Sequence, residues 1–479
     1  MRDLSHMNQS TRWIDNDESV IPEAQPSRRL SSLKFFMRYP IFLLMFGPPI
    51  FRSSAGIDAT KGNVDIWAFI QVGWLSLFAI RAILRLVAAR SIFLPKNIRS
   101  ILRLAFILGL LYLASVAYSP SRFVSAAYCI FYFLAWICVA EFVVDAYRNP
   151  PNWIQCLFQL RLVALFLFFL VVLTLLINPG SVVGEAAGSL IRLGGGTVAP
   201  VSIICPIIAI ISAYTYLNSL ESKGRSVFFF LVGLAGTLST YARGSELPLL
   251  LSLAILGFAR ARTGRRSAYL FISGYMASIL LSVMLVGAIG GGRIWNYFNR
   301  GQSLQGIESA SGRTEIWKFV VQYCMAHPQG MGYVAGFRMI FREYYSLGLQ
   351  LDVHYIGTAH NSFFQVLADA GWLALAIYLI MMAKIIAVGW RFAKKPASVT
   401  LASDSAPRHA IGCALVLLIF CFANGMEAVD FVLPLRAAFY MQNLIIAIIL
   451  GMSANMLAAS RTSVFSRPSD ISSKNGTVL

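Results

Sequence analysis

Long apolar runs separated by short polar or basic stretches dominate the chain from about residue 35 to residue 456. A helix that crosses a bilayer needs about 20 mostly apolar residues, and twelve runs approach that length. The pattern therefore predicts an all-α polytopic membrane protein with about twelve transmembrane helices. The predicted spans are residues 35–51, 64–84, 101–118, 123–144, 160–178, 198–217, 227–240, 247–259, 268–290, 362–388, 410–425 and 435–456.

Three of the predicted spans are short. The first contains Pro48 and Pro49, which favour a kinked or tilted helix. The seventh and eighth flank residues 241–245, so together they could form one bent hairpin.

The lysines and arginines fall mainly in alternate connections between the predicted spans. Cytoplasmic connections of membrane proteins contain an excess of these residues. An even number of spans places most of the 40 basic residues on one side, which predicts that both termini are cytoplasmic. Residues 1–34 and 457–479 are polar and are predicted to be flexible cytoplasmic tails, outside the transmembrane segments 35–290 and 362–456.

One long segment, residues 291–361, interrupts the apolar pattern and is predicted to be a large loop on the extracytoplasmic side. Ile316, Phe319 and Val320 recur at helical spacing, which predicts an amphipathic helix over residues 314–326. The pair His327-Pro328 would end this helix, because the residue before a proline is disfavoured in the α region. A loop of this length that is rich in aromatic and apolar residues is typical of a functional segment.

The composition excludes other classes of protein. Hydrophobic residues make up 57% and charged residues 13%, which fits neither a soluble multidomain protein nor a disordered chain. The net charge of +19 is spread between apolar runs and forms no basic domain, so we expect no nucleic-acid partner. The seven cysteines include no CxxC pair, and no metal-ligand cluster or nucleotide loop is visible, so neither a metal nor a cofactor is predicted.

A set of arginines at the ends of apolar runs on the extracytoplasmic side suggests an anion site. An arginine guanidinium matches the oxygens of a phosphate, and a helix N-terminus also favours anions. These arginines therefore predict binding of a lipid-linked phosphate or pyrophosphate, although interfacial anchoring or loop salt bridges would also explain any one of them. They are Arg192, Arg243, Arg313, Arg338 and Arg342.

His360 is the candidate general base. It directly precedes Asn361 and the tenth predicted span, where Asn361 or Ser362 would cap the helix. This position puts the imidazole at the membrane boundary on the same side as the arginines, where it could accept a proton from a sugar hydroxyl. A purely structural histidine is the alternative, and His354 is a weaker candidate for the base.

Three short motifs occur in this half of the chain. Arg243 and Leu247 form an Arg-x-x-x-Leu motif. His360-Asn361 is followed after nine residues by Gly371-Trp-Leu-Ala. The third is the loop passage from Ser-Gly-Arg at residues 311–313 to His-Pro-Gln-Gly-Met-Gly at residues 327–332.

These motifs resemble those of the bacterial O-antigen ligase and polysaccharide polymerase superfamily in their order along the chain, in their side of the membrane and in their residue spacing. The resemblance covers about residues 192–379, with Ala374 in place of the last glycine of the second motif. It implies a GT-C-like membrane fold, with the long loop in the periplasm and the protein in the bacterial inner membrane.

The resemblance further implies a metal-independent, inverting glycosyltransferase without a cofactor. The donor would be an undecaprenyl-pyrophosphate-linked oligosaccharide, with its pyrophosphate bound by Arg192, Arg243 and Arg313. Membrane lipid would be a further partner. His360 would be the general base, with His360, Arg243 and Arg313 as the catalytic set. The remaining candidates for substrate binding are Arg338, Arg342 and Asn361.

Three functions stay open at this point. The preferred one is a polymerase that joins lipid-linked repeat units into exopolysaccharide or O-antigen, with a chain-length regulator or copolymerase as a possible partner. A ligase would transfer the finished glycan to lipid A-core. A transporter or flippase of lipid-linked sugars would also suit twelve spans, although such proteins place their charged sites near the bilayer midplane.

Overall fold

A computed structural model describes residues 30–46, 66–89, 93–177, 183–186, 190–193, 198–240, 242–261, 313–346, 358–393, 405–426, 431–434 and 436–465. The predicted ninth span, most of both predicted tails, the first third of the long loop and His354 lie outside these residues.

Helices make up nearly all of the described chain. They are α1 (Ser32–Arg38), a 3-10 helix (Pro40–Phe46), α2 (Ile66–Ala88), α3 (Lys96–Ser115), α4 (Arg122–Arg148), α5 (Trp153–Ile177), α6 (Val198–Leu217), α7 (Lys223–Leu238), α8 (Arg243–Ala261), α9 (Arg313–Ala326), α10 (Ala335–Ser346), α11 (Ser362–Ala393), α12 (Ser405–Asn424) and α13 (Ala437–Phe465). Two short strands, β1 (Val183–Ala186) and β2 (Leu190–Leu193), precede α6.

Six helices in the described chain are long and apolar enough to cross a membrane: α2, α3, α4, α5, α11 and α13. Parts of α6, α8 and α12 form shorter apolar helices. These nine coincide with nine of the predicted spans, which confirms the helical, multi-pass plan. The full number of twelve spans stays a prediction.

The first predicted span is not one continuous helix. It is divided into α1 and the 3-10 helix at Tyr39, which has φ −119° and ψ 70°. Pro40 lacks an N–H group, and its ring excludes the preceding residue from the α region. The break therefore falls at Pro40, before the predicted kink at Pro48 and Pro49, which lies outside the described residues.

The strands β1 and β2 form a short hairpin within the otherwise helical chain. They pair antiparallel, with Val183 opposite Leu193 and Gly184 opposite Arg192. Arg192, one of the candidate anion-binding arginines, is therefore a strand residue. The pair is short, so local hydropathy over 19-residue windows does not reveal it.

Close helix packing in the bundle depends on small residues. A Cβ atom built on Gly233 of α7 would lie 2.6 Å from the backbone nitrogen of Ala209 in α6. Within a bilayer, small residues allow two helices to approach closely enough for backbone contact. The glycine therefore explains how α6 and α7 pack as a tight antiparallel pair.

The amphipathic helix predicted in the long loop is confirmed as α9, which ends at Ala326, immediately before the His327-Pro328 pair. A second loop helix, α10, follows. The segment between them packs on a break within α11, where Ala370 and Gly371 are not helical. There the N–H of Met331 donates to the carbonyl of Ala368 (2.6 Å), and the N–H of Trp372 donates to the carbonyl of Pro328 (3.2 Å).

Gly371 makes this docking possible. Its φ of 77° lies in the left-handed region, and an added Cβ would collide with the carbonyl oxygen of Pro328. Only glycine tolerates both conditions. The first glycine of the second sequence motif therefore lets the loop pack against α11, and Ala374, which departs from the motif, is fully buried in the same helix.

Candidate active site

His360 lies at the corner where the long loop enters α11. The residue is half-buried and has a φ of 49°, an unusual left-handed conformation for a residue with a side chain. Asn361 is the N-cap of α11, because its Oδ1 accepts the N–H groups of Phe363 (2.8 Å) and Phe364 (3.2 Å). The predicted cap is confirmed, and the imidazole is fixed at the end of the bundle.

The charge of Arg313 acts on His360. Burial of the imidazole is the larger cause and the positive charge of Arg313 the second. Together they lower the pKa of His360 from 6.5 to about 4. The imidazole is therefore neutral at physiological pH, the form that accepts a proton. Arg313 is the first residue of α9, so the predicted pairing of this arginine with a helix N-terminus also occurs.

Trp317 anchors α9 to the His360 corner. Its Nε1 donates to the carbonyl of Ala359 (3.0 Å), and its ring stacks on Phe364 with centroids 5.4 Å apart. An open groove of about 500 Å³ lies beside the stacked pair. Its lining residues are Thr314, Trp317, Lys318, Val321, Gln322 and Phe364.

The end of α12 connects Arg243 to the same corner. Arg243 begins α8, and the carbonyl of the next residue, Gly244, accepts the Nδ2 of Asn424 at 2.6 Å. The adjoining Gly425 accepts the N–H of Ser362 at 2.7 Å. The backbone of Arg243 is therefore held beside the His360 corner by one short segment of α12.

Asn361 contacts this segment as well, since its Nδ2 donates to the carbonyl of Met426 at 2.7 Å. Its side chain thus caps α11 and contacts the end of α12. Substrate binding by Asn361 stays a prediction, and the contacts observed for it are with the protein.

The other predicted arginines lie on separate elements. Arg338 and Arg342 lie four residues apart on α10, which confirms the predicted helical spacing, and Arg338 is half-buried. The helix packs through the fully buried Phe337 and Phe341. Arg192 lies in β2. The backbone next to Arg243 lies at the His360 corner and the charge of Arg313 acts on His360, but a role in the reaction stays a prediction for all five arginines.

Sequence reasoning missed several residues that build the site. Gln365 and Asp369 are fully buried on α11, and Asn424 joins α12 to α8. A carboxylate inside an apolar run is costly and could have been a signal at Asp369. For Gln365 and Asn424 the sequence contains no comparable signal.

Residues 228–379 match the sequence model of a family described as O-antigen ligase. This match supports the resemblance to the O-antigen ligase and polymerase superfamily that the sequence motifs indicated. The match includes α8, α9, α10 and the beginning of α11, and therefore the whole His360 corner except the end of α12, while Arg192 lies before it. No curated protein matches the chain in a sequence comparison.

The similarity of residues 228–379 to the O-antigen ligase family agrees with the architecture. The family is described as O-antigen ligase, and the described part of the chain has the helices of a multi-pass membrane protein. The superfamily motifs occur where the structure brings α8, α9 and α11 together.

Proposed function

We propose that the protein is an integral-membrane glycosyltransferase that polymerises undecaprenyl-pyrophosphate-linked repeat units into exopolysaccharide or O-antigen. The observation that supports this proposal is the position of the half-buried His360 at the end of α11, where the charge of Arg313 at the start of α9 acts on its imidazole. The proposal includes twelve spans, a periplasmic loop, cytoplasmic termini and a place in the inner membrane.

In the proposed reaction, His360 accepts the proton of the acceptor hydroxyl as the oxygen attacks the anomeric carbon of the donor sugar. The new glycosidic C–O bond forms on the face opposite the bond to the pyrophosphate, which breaks, so the configuration inverts. The proton remains on the imidazole, and the leaving group is undecaprenyl pyrophosphate with one additional negative charge.

Arginines stabilise this departure. Guanidinium groups that point to the oxygens where charge develops lower the barrier, because the protein has already oriented them. Arg313 and Arg243 have this role, with Arg192, Arg338 and Arg342 as further donors. The bound pyrophosphate also offsets the charge of Arg313, which raises the proton affinity of His360 when the donor is present.

The first prediction concerns His360 itself. His360→Ala should lower the rate of polymer formation by at least about 100-fold, the usual contribution of a general base. The measurement uses purified protein in detergent with lipid-linked repeat units and follows the glycan ladder by gel or mass spectrometry. His327→Ala is the matched control, because His327 is an exposed histidine at the end of α9 and should leave the ladder unchanged.

A normal ladder from His360→Ala would remove the imidazole from the mechanism. Wild-type protein that forms no product in detergent, where no compartments exist, yet moves lipid-linked sugars in vesicles would instead identify a transporter.

The family description favours the ligase as the second candidate function. The same site chemistry would transfer the glycan to lipid A-core, and only the acceptor differs. Mass spectrometry of the surface glycans of a deletion strain separates the two. Single repeats with no polymer indicate the polymerase, whereas full-length polymer that remains on its lipid carrier indicates the ligase.

A further inference from the structure

The backbone at His360 is held in a conformation that it would not keep unaided. A left-handed φ in a residue other than glycine is unfavourable and persists only where the surroundings fix it. Ala359, immediately before His360, is buried and has both backbone polar groups bound. Its carbonyl accepts from Trp317, and its N–H donates to the Oε1 of Gln365 at 2.9 Å.

The side chain of Gln365 connects this N–H to a carboxylate. Its Nε2 donates to the Oδ1 of Asp369 at 2.8 Å, so the amide uses its oxygen towards the loop and its nitrogen towards α11. Gln365 and Asp369 are 1% and 0% exposed. Their spacing of four residues places them on one face of α11, and burial makes each unmade bond costly.

Asp369 also binds the loop from the other side. Its Oδ1 accepts the N–H of Val334 at 2.8 Å, and Val334 too has a left-handed φ, of 59°. The Oδ2 of Asp369 is buried without a hydrogen-bond partner in the described part of the chain. One oxygen of Asp369 therefore holds both Gln365 and the turn that precedes α10.

We propose that Gln365 and Asp369 are positioning residues for His360. They fix the backbone at Ala359 and so determine where the imidazole points, without contact to substrate. This inference rests on the proposed role of His360 as the general base. It predicts that loss of the Gln365 amide slows the chemical step and leaves binding of the donor intact.

Gln365→Met is the decisive variant, because it conserves volume and removes both hydrogen bonds. We expect kcat to fall about 10- to 100-fold, because a displacement of a catalytic group by about 1 Å can lower the rate by this much. KM for the lipid-linked donor should stay within about twofold, because the arginines that would bind it are not altered. Gln442→Met is the matched control: Gln442 is a buried glutamine of α13, and its described partners, Met382 and Tyr378, lie several turns of α11 beyond Gln365.

A double-mutant comparison separates positioning from general stability. If Gln365 acts only through His360, then Gln365→Met should not lower the residual rate of His360→Ala further, because residues that act as a unit are not additive. Asp369→Asn keeps an acceptor oxygen and should retain most of kcat, whereas Asp369→Leu should lose it as Gln365→Met does. Should Gln365→Met fail to fold in a thermal unfolding assay, Gln365→Asn, whose side chain is too short to join both partners, takes its place.

The possible failures are distinct. Full activity in His360→Ala would overturn the proposed function itself. An inactive His360→Ala together with a wild-type kcat in Gln365→Met would overturn the positioning role alone. Losses that multiply in the double variant, or a KM that rises with the fall in kcat, would assign Gln365 a structural role in place of a positioning one.

Discussion

At the scale of single residues, the protonation state of His360 connects structure to chemistry. A general base must be unprotonated before the reaction, and burial together with Arg313 lowers the pKa of His360 to about 4. The neutral form is present above that pKa and is lost as the pH falls through it. Arg313 thus has two effects, since the charge that would attract the pyrophosphate also keeps the base free of its proton.

The pH profile of the free enzyme tests this arrangement. We expect kcat/KM of the wild type to be constant near neutral pH and to fall only as the pH approaches about 4, because kcat/KM reports the free enzyme. Arg313→Ala should move this acid limb towards higher pH, since the second cause of the lowered pKa is removed. Burial remains, so the limb should stay below the ordinary value of 6.5.

Lys318→Ala is the control for this measurement, because Lys318 is an exposed cation on the same helix and pairs with Glu315 at 3.1 Å. It should leave the acid limb in place. If Arg313→Ala also left the limb in place, then the charge of Arg313 would not act on His360.

At the scale of elements, the break in α11 determines where the loop packs. The carbonyl of Ala368 is free to bind the loop because the helix is interrupted at Ala370 and Gly371. The turn that follows α9 contacts these groups through Gly330, where an added Cβ would lie 2.7 Å from the backbone nitrogen of Gly371. The loop helices and the membrane helix therefore meet through backbone atoms.

Gly371→Ala should disrupt this junction. The left-handed φ alone costs about 1–3 kcal/mol for alanine, and the contact with the carbonyl of Pro328 adds to it. We expect a lower midpoint of thermal unfolding in detergent and faster proteolysis within the α9–α10 segment. Gly73→Ala on α2, where an added Cβ meets nothing within 4 Å, should change neither. An equally stable Gly371→Ala protein would show that the backbone contact is dispensable.

At the scale of the whole molecule, the candidate site and the ion pairs of Glu141 and Arg161 occupy opposite ends of the bundle. Ser125 near the start of α4 donates to the carbonyl of Tyr333 in the loop (2.6 Å), and Glu141 on the same helix pairs with Arg85 at 3.0 Å. At 1.5 Å of rise per residue these positions are about 24 Å apart. Arg161, 3% exposed, pairs with Glu221 in the connection after α6.

The orientation of the bundle follows from this polarity. The end with Arg85 and Arg161 is predicted to face the cytoplasm, and the His360 end the periplasm. Reporter fusions after residue 465 and within residues 301–312 test the assignment. A fusion at the C-terminus should be active only as a cytoplasmic reporter and a fusion in the loop only as a periplasmic one. The reverse pattern would contradict both the topology and the proposed donor side.

Local patterns were enough for much of the fold. Nine helices match predicted spans, α9 begins one residue before its predicted start, and the cap at Asn361 was one of two predicted alternatives. These features depend on hydropathy and capping within a few turns of chain, which sequence expresses directly. The break at Pro40 and the strand pair at Arg192 were not predicted. An apolar or glycine-rich stretch of this length is compatible with more than one arrangement of short helices and strands, and local pattern does not distinguish them.

The sequence by itself determined that this is a multi-pass membrane protein, which superfamily its motifs resemble, and which residue types could perform the chemistry. Only the tertiary structure decided which of them meet. The side chain of Asn424 donates to the carbonyl of Gly244, 180 residues away in the sequence. The side chain of Gln365 accepts the N–H of Ala359, just before His360, and the hydropathy pattern does not predict this contact. Hydropathy is a property of neighbours along the chain, whereas a reaction centre depends on contacts between distant segments, which exist only once the helices have packed.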